Sequence, residues 1–485
     1  MTTTKTADTA VSRPVAAKLL REVRLRTVPS RLRALALLLV VLIVAFVSLA
    51  TMALDHSRTG LQVIGHKTGP VVAATGDLYF ALSDMDAEIS QVLLIGKERD
   101  LGTGRDAALT AYEQRRARAD AALLEAAKLT AADPAAQTTA RNLLQGLGRY
   151  ESLAAQALVL NEQSAHPAGP PPAEVLDLYR QATDLMRLEL LPQAYNLTLT
   201  SGTIVRHTYI DQRSAVLTGR TAVLVAGGLL LLVLFWLQFY LARIFRRVTN
   251  LALVLATACA LGGVGATSLL LTHEADMLAR AKLAGFDSVL NLSRARAISN
   301  NANADQGRFL LDPGRADIAA QTYLDKSQAV FYVPAGRLET YETSVDEAVA
   351  AYLRTHLHPQ FLGFLGQEVR PPHGGAVRDL QPALDRLLSG YRRVQADDAG
   401  IRALAAEGRS RDAIEVRMNG ARADFRDYDD AMVAVIHIHN RVFTQSIASG
   451  DDALKGWRWS LPGAALVVAL LVLLGLRPRL LEFRK

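Results

Sequence analysis

One cysteine in 485 residues leaves this chain no disulfide with which to hold itself together. Cys259 also sits inside a long apolar run, so folding must rest on packing alone. The short signatures of chemistry are missing too. There is no Gly-rich phosphate loop ending in Lys and Ser or Thr, no His-Glu-x-x-His, no serine elbow and no paired cysteines. Gly65-His-Lys-Thr-Gly69 contains a Lys-Thr pair but lacks the preceding glycine spacing and strand of a phosphate loop. Two histidine pairs, His356 with His358 and His437 with His439, are spaced i, i+2, which on a helix points the rings to different faces and disfavours a shared metal. The first pair precedes Pro359 where a helix can end, a place for an exposed polar turn. These absences predict a protein that is not an enzyme and holds no metal or cofactor. Strand signals are also scarce, apart from an ambiguous patch at residues 329–333.

What the chain does have is four uninterrupted apolar stretches, Ala34 to Leu54, Thr221 to Ala242, Val248 to Leu271 and Ser460 to Leu476. A helix needs about 20 residues to cross about 30 Å of hydrocarbon, so each reads as a transmembrane helix. None contains a charged residue, which counts against a pump or an ion-coupled carrier, since those place charges along the path. The glycines Gly227-Gly228 and Gly262-Gly263 with Gly265 suit close helix approach, or simply a lipid-facing surface.

Lys and Arg flank one end of each span. Before the first come Lys5, Arg13, Lys18, Arg21, Arg24, Arg26, Arg31 and Arg33. Between the second and third, residues 243–247 carry Arg243, Arg246 and Arg247. After the fourth come Arg477, Arg479, Arg484 and Lys485. The positive-inside rule therefore places both termini and the short loop in the cytoplasm of a multi-pass plasma-membrane protein. The net charge of +7 then conceals an excess of positive charge inside and of negative charge outside. That division excludes a nucleic-acid role for the high pI, because the basic residues lie where anionic lipid attracts them. Arg outnumbers Lys 45 to 9, the bias of high-GC bacteria such as actinobacteria. Ser48-Leu49-Ala50 would pass as a weak cleavage site, but the long basic leader and long apolar core read as an uncleaved anchor.

The layout that follows is an all-α integral membrane protein with two tandem extracytoplasmic helical bundles. Its parts are a basic segment (1–33), spans at 34–54, 221–242, 248–271 and 460–476, bundles at 55–220 and 272–459, a loop at 243–247 and a tail at 477–485. Leu143, Leu147, Tyr150, Ala154 and Leu158 recur at helical spacing, as do Leu380, Leu384, Leu387, Tyr391 and Val394. The expected helices lie near 58–97, 104–131, 134–163 and 173–220, then 272–311, 314–328, 338–366 and 376–459, the last broken around Gly400, Gly408 or Gly420. Asp133-Pro134 and Asp312-Pro313 read as capped helix starts. Gly60, Gly65, Gly69 and Pro70 should interrupt the first helix of the first bundle, and Pro192 should kink its fourth. An up-down four-helix bundle begins and ends on one face, so each could stand on the membrane between two spans.

A faint repeat supports a duplication: residues 86–94 (DAEISQVLL) align with 303–311 (NADQGRFLL). Its polar members Asp86, Glu88, Asn303, Asp305 and Arg308 fit a buried network or ligand site, or else solvated polar faces.

Two outer bundles tied to membrane helices suit a receptor, yet the cytoplasmic pieces are too short for an output domain. A separate partner must take the message, and Arg21, Arg24, Arg26, Arg31, Arg33, Arg243, Arg246 and Arg247 form the natural contact surface, unless they only fix topology and touch lipid. The basic leader VRLRTVPSRLR (23–33), the stretch LMRLELLP ending at Pro192, the four spans and the minimal cytoplasmic part resemble the GlnX family of actinobacterial membrane proteins. Members of that family stand between an extracytoplasmic amino-acid-binding lipoprotein, GlnH, and a soluble Ser/Thr kinase, PknG. The resemblance implies sensing of aspartate, glutamate or related amino acids through the lipoprotein and control of nitrogen metabolism by the kinase. A direct small-ligand sensor of chemoreceptor-bundle type, and a scaffold or transporter accessory subunit, are the alternatives. A homodimer stays open.

Overall fold

Alanine- and leucine-rich stretches without β-branched alternation give helix through most of the residues the structure describes. The structure, a computed structural model, describes residues 28–98, 101–102, 104–131, 133–245, 250–357, 359–370, 377 and 379–481. Fifteen α-helices follow one another among them. They are α1 (Val28–Leu61), α2 (Gly69–Ile95), α3 (Arg105–Leu129), α4 (Pro134–Ser164), α5 (Ala173–Leu185), α6 (Leu191–Phe245), α7 (Leu251–Ala279) and α8 (Asp287–Leu311). Then come α9 (Ala316–Val330), α10 (Leu338–Thr355), α11 (Gly363–Glu368), α12 (Leu380–Ala406), α13 (Ser410–Met418), α14 (Gly420–Leu454) and α15 (Trp457–Leu481). The ambiguous patch at 329–333 supplies one half of an isolated antiparallel bridge, Tyr332 with Leu362, and no strand forms among the described residues.

Among the described residues four helices are long and apolar enough to cross a membrane. The described residues up to Arg58, Gln212–Ala275 and those from Asp451 onward form one compact unit. Leu39, Leu234, Leu237, Leu253 and Val472 are buried together there. A side chain at Gly227 would meet Val264 at 2.5 Å, so this glycine permits close packing, whereas Gly228, Gly262, Gly263 and Gly265 face open space. Only one of the five glycines therefore serves helix approach.

Residues 59–211 and 276–450 form the second unit. The two segments, read from the sequence as tandem bundles, here share one compact body in which α2 of the first packs against α8 of the second. One apolar core takes side chains from α2 to α6 together with Leu310, Leu311, Ile401 and Ile414 from the later segment. A second gathers Phe331, Tyr341, Phe361, Leu387 and Tyr391.

The expected interruptions are absorbed rather than broken. Gln62–Thr68 is a π-helical stretch that contains Gly65, and α2 starts at Gly69 with Pro70 in its first turn, where the missing N–H costs nothing. A second π stretch, Met186–Leu190, ends two residues before Pro192, whose ring has no N–H for the carbonyl four residues back. A third, Arg280–Phe286, lies as far along the second segment as the first does along the first. Asp133 caps α4 through Oδ1, which accepts from the amides of Ala135 and Ala136 at 2.9 and 3.4 Å. Asp312 does not cap: its carboxylate is taken by Arg180 at 2.8 and 2.7 Å, and a short 3-10 turn intervenes before α9. The helix expected at 338–366 ends at Thr355, where His356 adopts φ +54° as a left-handed cap. Gly408 and Asn419 divide the last segment, while Gly400 stays inside α12.

Candidate functional site

Ala81 to Ile95 of α2 are all buried, a stretch that includes Asp84, Asp86, Glu88 and Gln91. Burying four such side chains is tolerable only if each finds partners. The partners come from α3, α4, α5, α8 and α14, and α2 and α8 pass so closely that a side chain at Gly307 would lie 2.9 Å from Ser90 Oγ. Ser90 and Gly307 are aligned positions of the nine-residue repeat.

On one side of this crossing lies an ion quartet. Arg308 bridges Asp86 and Asp305, and Asp305 also holds Lys326 of α9. Asp86 accepts further hydrogen bonds from Tyr150 at 3.0 Å and Thr183 at 3.1 Å. Lys326 donates to Asn301 at 2.9 Å. Two acids and two bases balance, the condition for burying charge at all. Burial alone would raise Asp305, yet Lys326 and Arg308 hold its carboxyl below the usual range. Lys326 is brought down to about 8 by burial, against the attraction of Asp305.

On the other side of the crossing lies a polar cavity of about 110 Å³. Three ion pairs frame it: Arg115 of α3 with Asp84 at 2.9 Å, Arg422 of α14 with Glu88 at 3.3 Å, and Arg296 of α8 with Asp429 of α14 at 2.6 Å. The Arg296 guanidinium also lies 3.8 Å from the centre of the Phe80 ring. Burial pushes Asp84 up to about 6, opposed by Arg115 and helped by the negative charges of Glu88 and Asp429. Gln91 is 3% exposed and lines the cavity, and its Oε1 has no hydrogen-bond partner among the described residues. Arg426 completes the lining and pairs with no acid among those residues. Behind the cavity, fully buried Arg417 donates to the Asn303 carbonyl at 3.1 Å, and burial lowers it to about 10.

The structure thus places Asp86, Asp305 and Arg308 in one cluster, and Glu88 and Asn303 beside the cavity next to it. Of the cytoplasmic arginine candidates, Arg31, Arg33 and Arg243 are exposed. Arg21, Arg24, Arg26, Arg246 and Arg247 lie outside the described residues. His358 is outside them too, while His356 faces Asp385 at 3.2 Å on the surface. His439 is buried, with Nδ1 at 2.7 Å from the Ala284 carbonyl. Among the described residues no three His, Cys, Asp or Glu stand together as a metal site.

Sequence reading missed Asp84, Gln91, Arg115, Arg296, Lys326, Arg422 and Asp429. A signal existed: Asp84, Glu88 and Gln91 on α2, and Arg422, Arg426 and Asp429 on α14, follow the spacing of four and three that puts them on one helical face. The pairing between those faces is a tertiary fact that spacing does not supply.

Residues 60–210 match the actinobacterial sensor domain. The match includes the α2 and α3 residues of both clusters. No curated protein and no solved structure matches the chain. A sensor domain beside four helices able to span a membrane fits a multi-pass membrane protein of actinobacterial type with a sensing or signalling role.

Proposed function

We propose that this chain is a non-enzymatic transmembrane signal transducer whose helical body faces the outside and whose basic ends face the cytoplasm. The observation that carries the proposal is the sensor-domain match over 60–210 in a chain whose helix α6 begins in that match and continues unbroken into an apolar stretch. A displacement of α6 along or about its axis would be passed on along one continuous helix. The Lys and Arg flanks support the orientation. The resemblance to the GlnX family supports the finer reading. An amino-acid-loaded lipoprotein of the aspartate and glutamate class docks on the body, and the arginine-rich surface of Arg31, Arg33 and Arg243 with its neighbours changes its contact with a Ser/Thr kinase.

Crosslinking in intact membranes tests this. Photo-reactive groups on exposed positions of 59–211 and 276–450 should capture a solute-binding lipoprotein, and groups beside Arg33 and Arg243 should capture a kinase. Capture of neither, in cells that make both, would sink the relay.

A further inference from the structure

We propose that the cavity beside Gln91 binds a small carboxylic acid carrying a hydrogen-bond donor on the carbon next to the carboxylate. The inference deepens the sensing role above and rests on it only for what the binding event means to the cell.

Size comes first. A water position takes about 10–15 Å³ of such volume, so a cavity of about 110 Å³ has room for a molecule of roughly ten heavy atoms. Charge comes next. Four arginines line the cavity against three acids, Asp84, Glu88 and Asp429, so the lining carries one uncompensated positive charge and calls for an anion. Arg426 pairs with no acid among the described residues, which leaves its donors to a carboxylate, whereas Arg115 already holds Asp84 through Nε at 2.9 Å. Asp84 is already driven toward its neutral form, so an incoming carboxylate can take over Arg115 as Asp84 accepts a proton.

The donor requirement comes from Gln91. Its Oε1 only accepts, and a buried acceptor left unpaired is costly. The repeat shows why this place is open. Asp86 aligns with Asn303, and Gln91 aligns with Arg308. Across the Ser90 and Gly307 contact, the ion pair between Asp86 and Arg308 therefore has a counterpart in Asn303 and Gln91. That counterpart carries no charge, and the space beside it is the cavity. A ligand with a carboxylate and an adjacent donor supplies there what Asp86 and Arg308 supply on the other side.

Four-carbon diacids provide the test, using the full-length chain in nanodiscs and calorimetry or ligand-induced thermal shift. L-malate and L-aspartate carry a hydroxyl and an ammonium on the carbon where succinate has only hydrogen. Malate, aspartate or both should bind, and succinate should bind about tenfold more weakly than the better of them, the cost of leaving Gln91 unpaired. Gln91→Leu removes an atom that has no partner to lose, so the ligand-free chain should melt as before while the preference over succinate disappears. Arg426→Ala, at an exposed position, should weaken all three acids. The site is overturned if neither malate nor aspartate binds, if succinate binds as well as the better of them, or if the preference survives Gln91→Leu. Partner crosslinking on the same preparation separates the two readings. Acid binding without partners counts against the relay alone, and partners without acid binding count against the site alone.

Discussion

The helical body holds two interiors of opposite character. Around Phe331 the packing is aromatic: its ring stacks on Phe361 with centroids 4.2 Å apart and on Tyr391 at 5.4 Å. The few polar atoms there are hydroxyls that stay within the cluster, Tyr341 Oη lying 2.8 Å from Tyr391 Oη and 2.6 Å from the Phe331 carbonyl. Along the α2 and α8 crossing the interior is ionic instead. The difference separates two jobs. Apolar area removed from water stabilises whatever the signal. A buried ion pair adds little net stability over an apolar pair of the same size, yet breaking it is costly. An ionic seam therefore has discrete alternative pairings that an incoming charge can select, and an aromatic core has none.

The largest expected effect tests that asymmetry. Arg308→Ala leaves Asp86 unpaired and Asp305 with Lys326 alone, and should lower unfolding free energy by about 3–5 kcal/mol in denaturant titrations. Asp86→Leu combined with Arg308→Met keeps Asp305 and Lys326 paired and should recover most of that loss. If the double variant is as unstable as the single one, the seam is a stabilising element and the contrast with the aromatic core fails.

Next in size is a pH effect. His439 gives its Nδ1 proton to the Ala284 carbonyl, and Glu368 lies 3.4 Å from its Nε2. Burial lowers His439 and raises Glu368 to about 7, so it favours the neutral form of each. A carboxyl raised on folding from 4.5 to about 7 binds its proton more tightly in the native state. Its stabilisation is complete below pH 4.5 and is lost as pH rises to about 7, a change of roughly 3 kcal/mol. Asp398, raised by burial to about 6, works in the same direction. Asp84 and Asp397, each raised by burial to about 6, and Glu274, raised by burial to about 7, add to it, so thermal stability should fall between pH 5 and 7.5 and Glu368→Gln should make that slope measurably shallower. An unchanged slope in the variant would show that Glu368 titrates normally. Smaller again is Tyr341→Phe, which deprives the Ser327 and Phe331 carbonyls of a shared donor and should cost about 1–2 kcal/mol at any pH.

Much of this body is legible in the chain. The seam positions Leu143, Leu147, Tyr150 and Ala154 face the core as their spacing dictates, and Asp133-Pro134 starts its helix by capping. Asp312-Pro313 looks the same in sequence and behaves differently, because Arg180, 132 residues away, takes the carboxylate that would have capped. The nine-residue repeat exposed Asp86, Asp305 and Arg308 but not Lys326 or Arg115, which meet them from other helices. Local rules place residues on faces; which faces meet is decided by long-range packing. Gly65 shows the same limit. Its helix-breaking tendency is real, but the π stretch around it packs so closely that a side chain there would meet Ile447 at 2.7 Å.

The smallest effect is the control for the whole comparison. Arg149 and Glu189 form an ion pair at 2.9 Å with the same chemistry as the seam, but their side chains are 63% and 50% exposed. Water at high dielectric already solvates both charges, so little is gained by pairing them and little is lost by parting them. Arg149→Ala should therefore cost about 0.2–1 kcal/mol, and that cost should shrink further in 1 M salt, where screening reaches within about 3 Å. Arg308→Ala should hold its full cost in the same salt, because counterions do not enter the seam. A salt-resistant loss of several kcal/mol at Arg149 would mean that pairing itself, and not burial, sets the strength of these bridges. The α2 and α8 crossing would then have no special claim to be the part of the body that a ligand can switch.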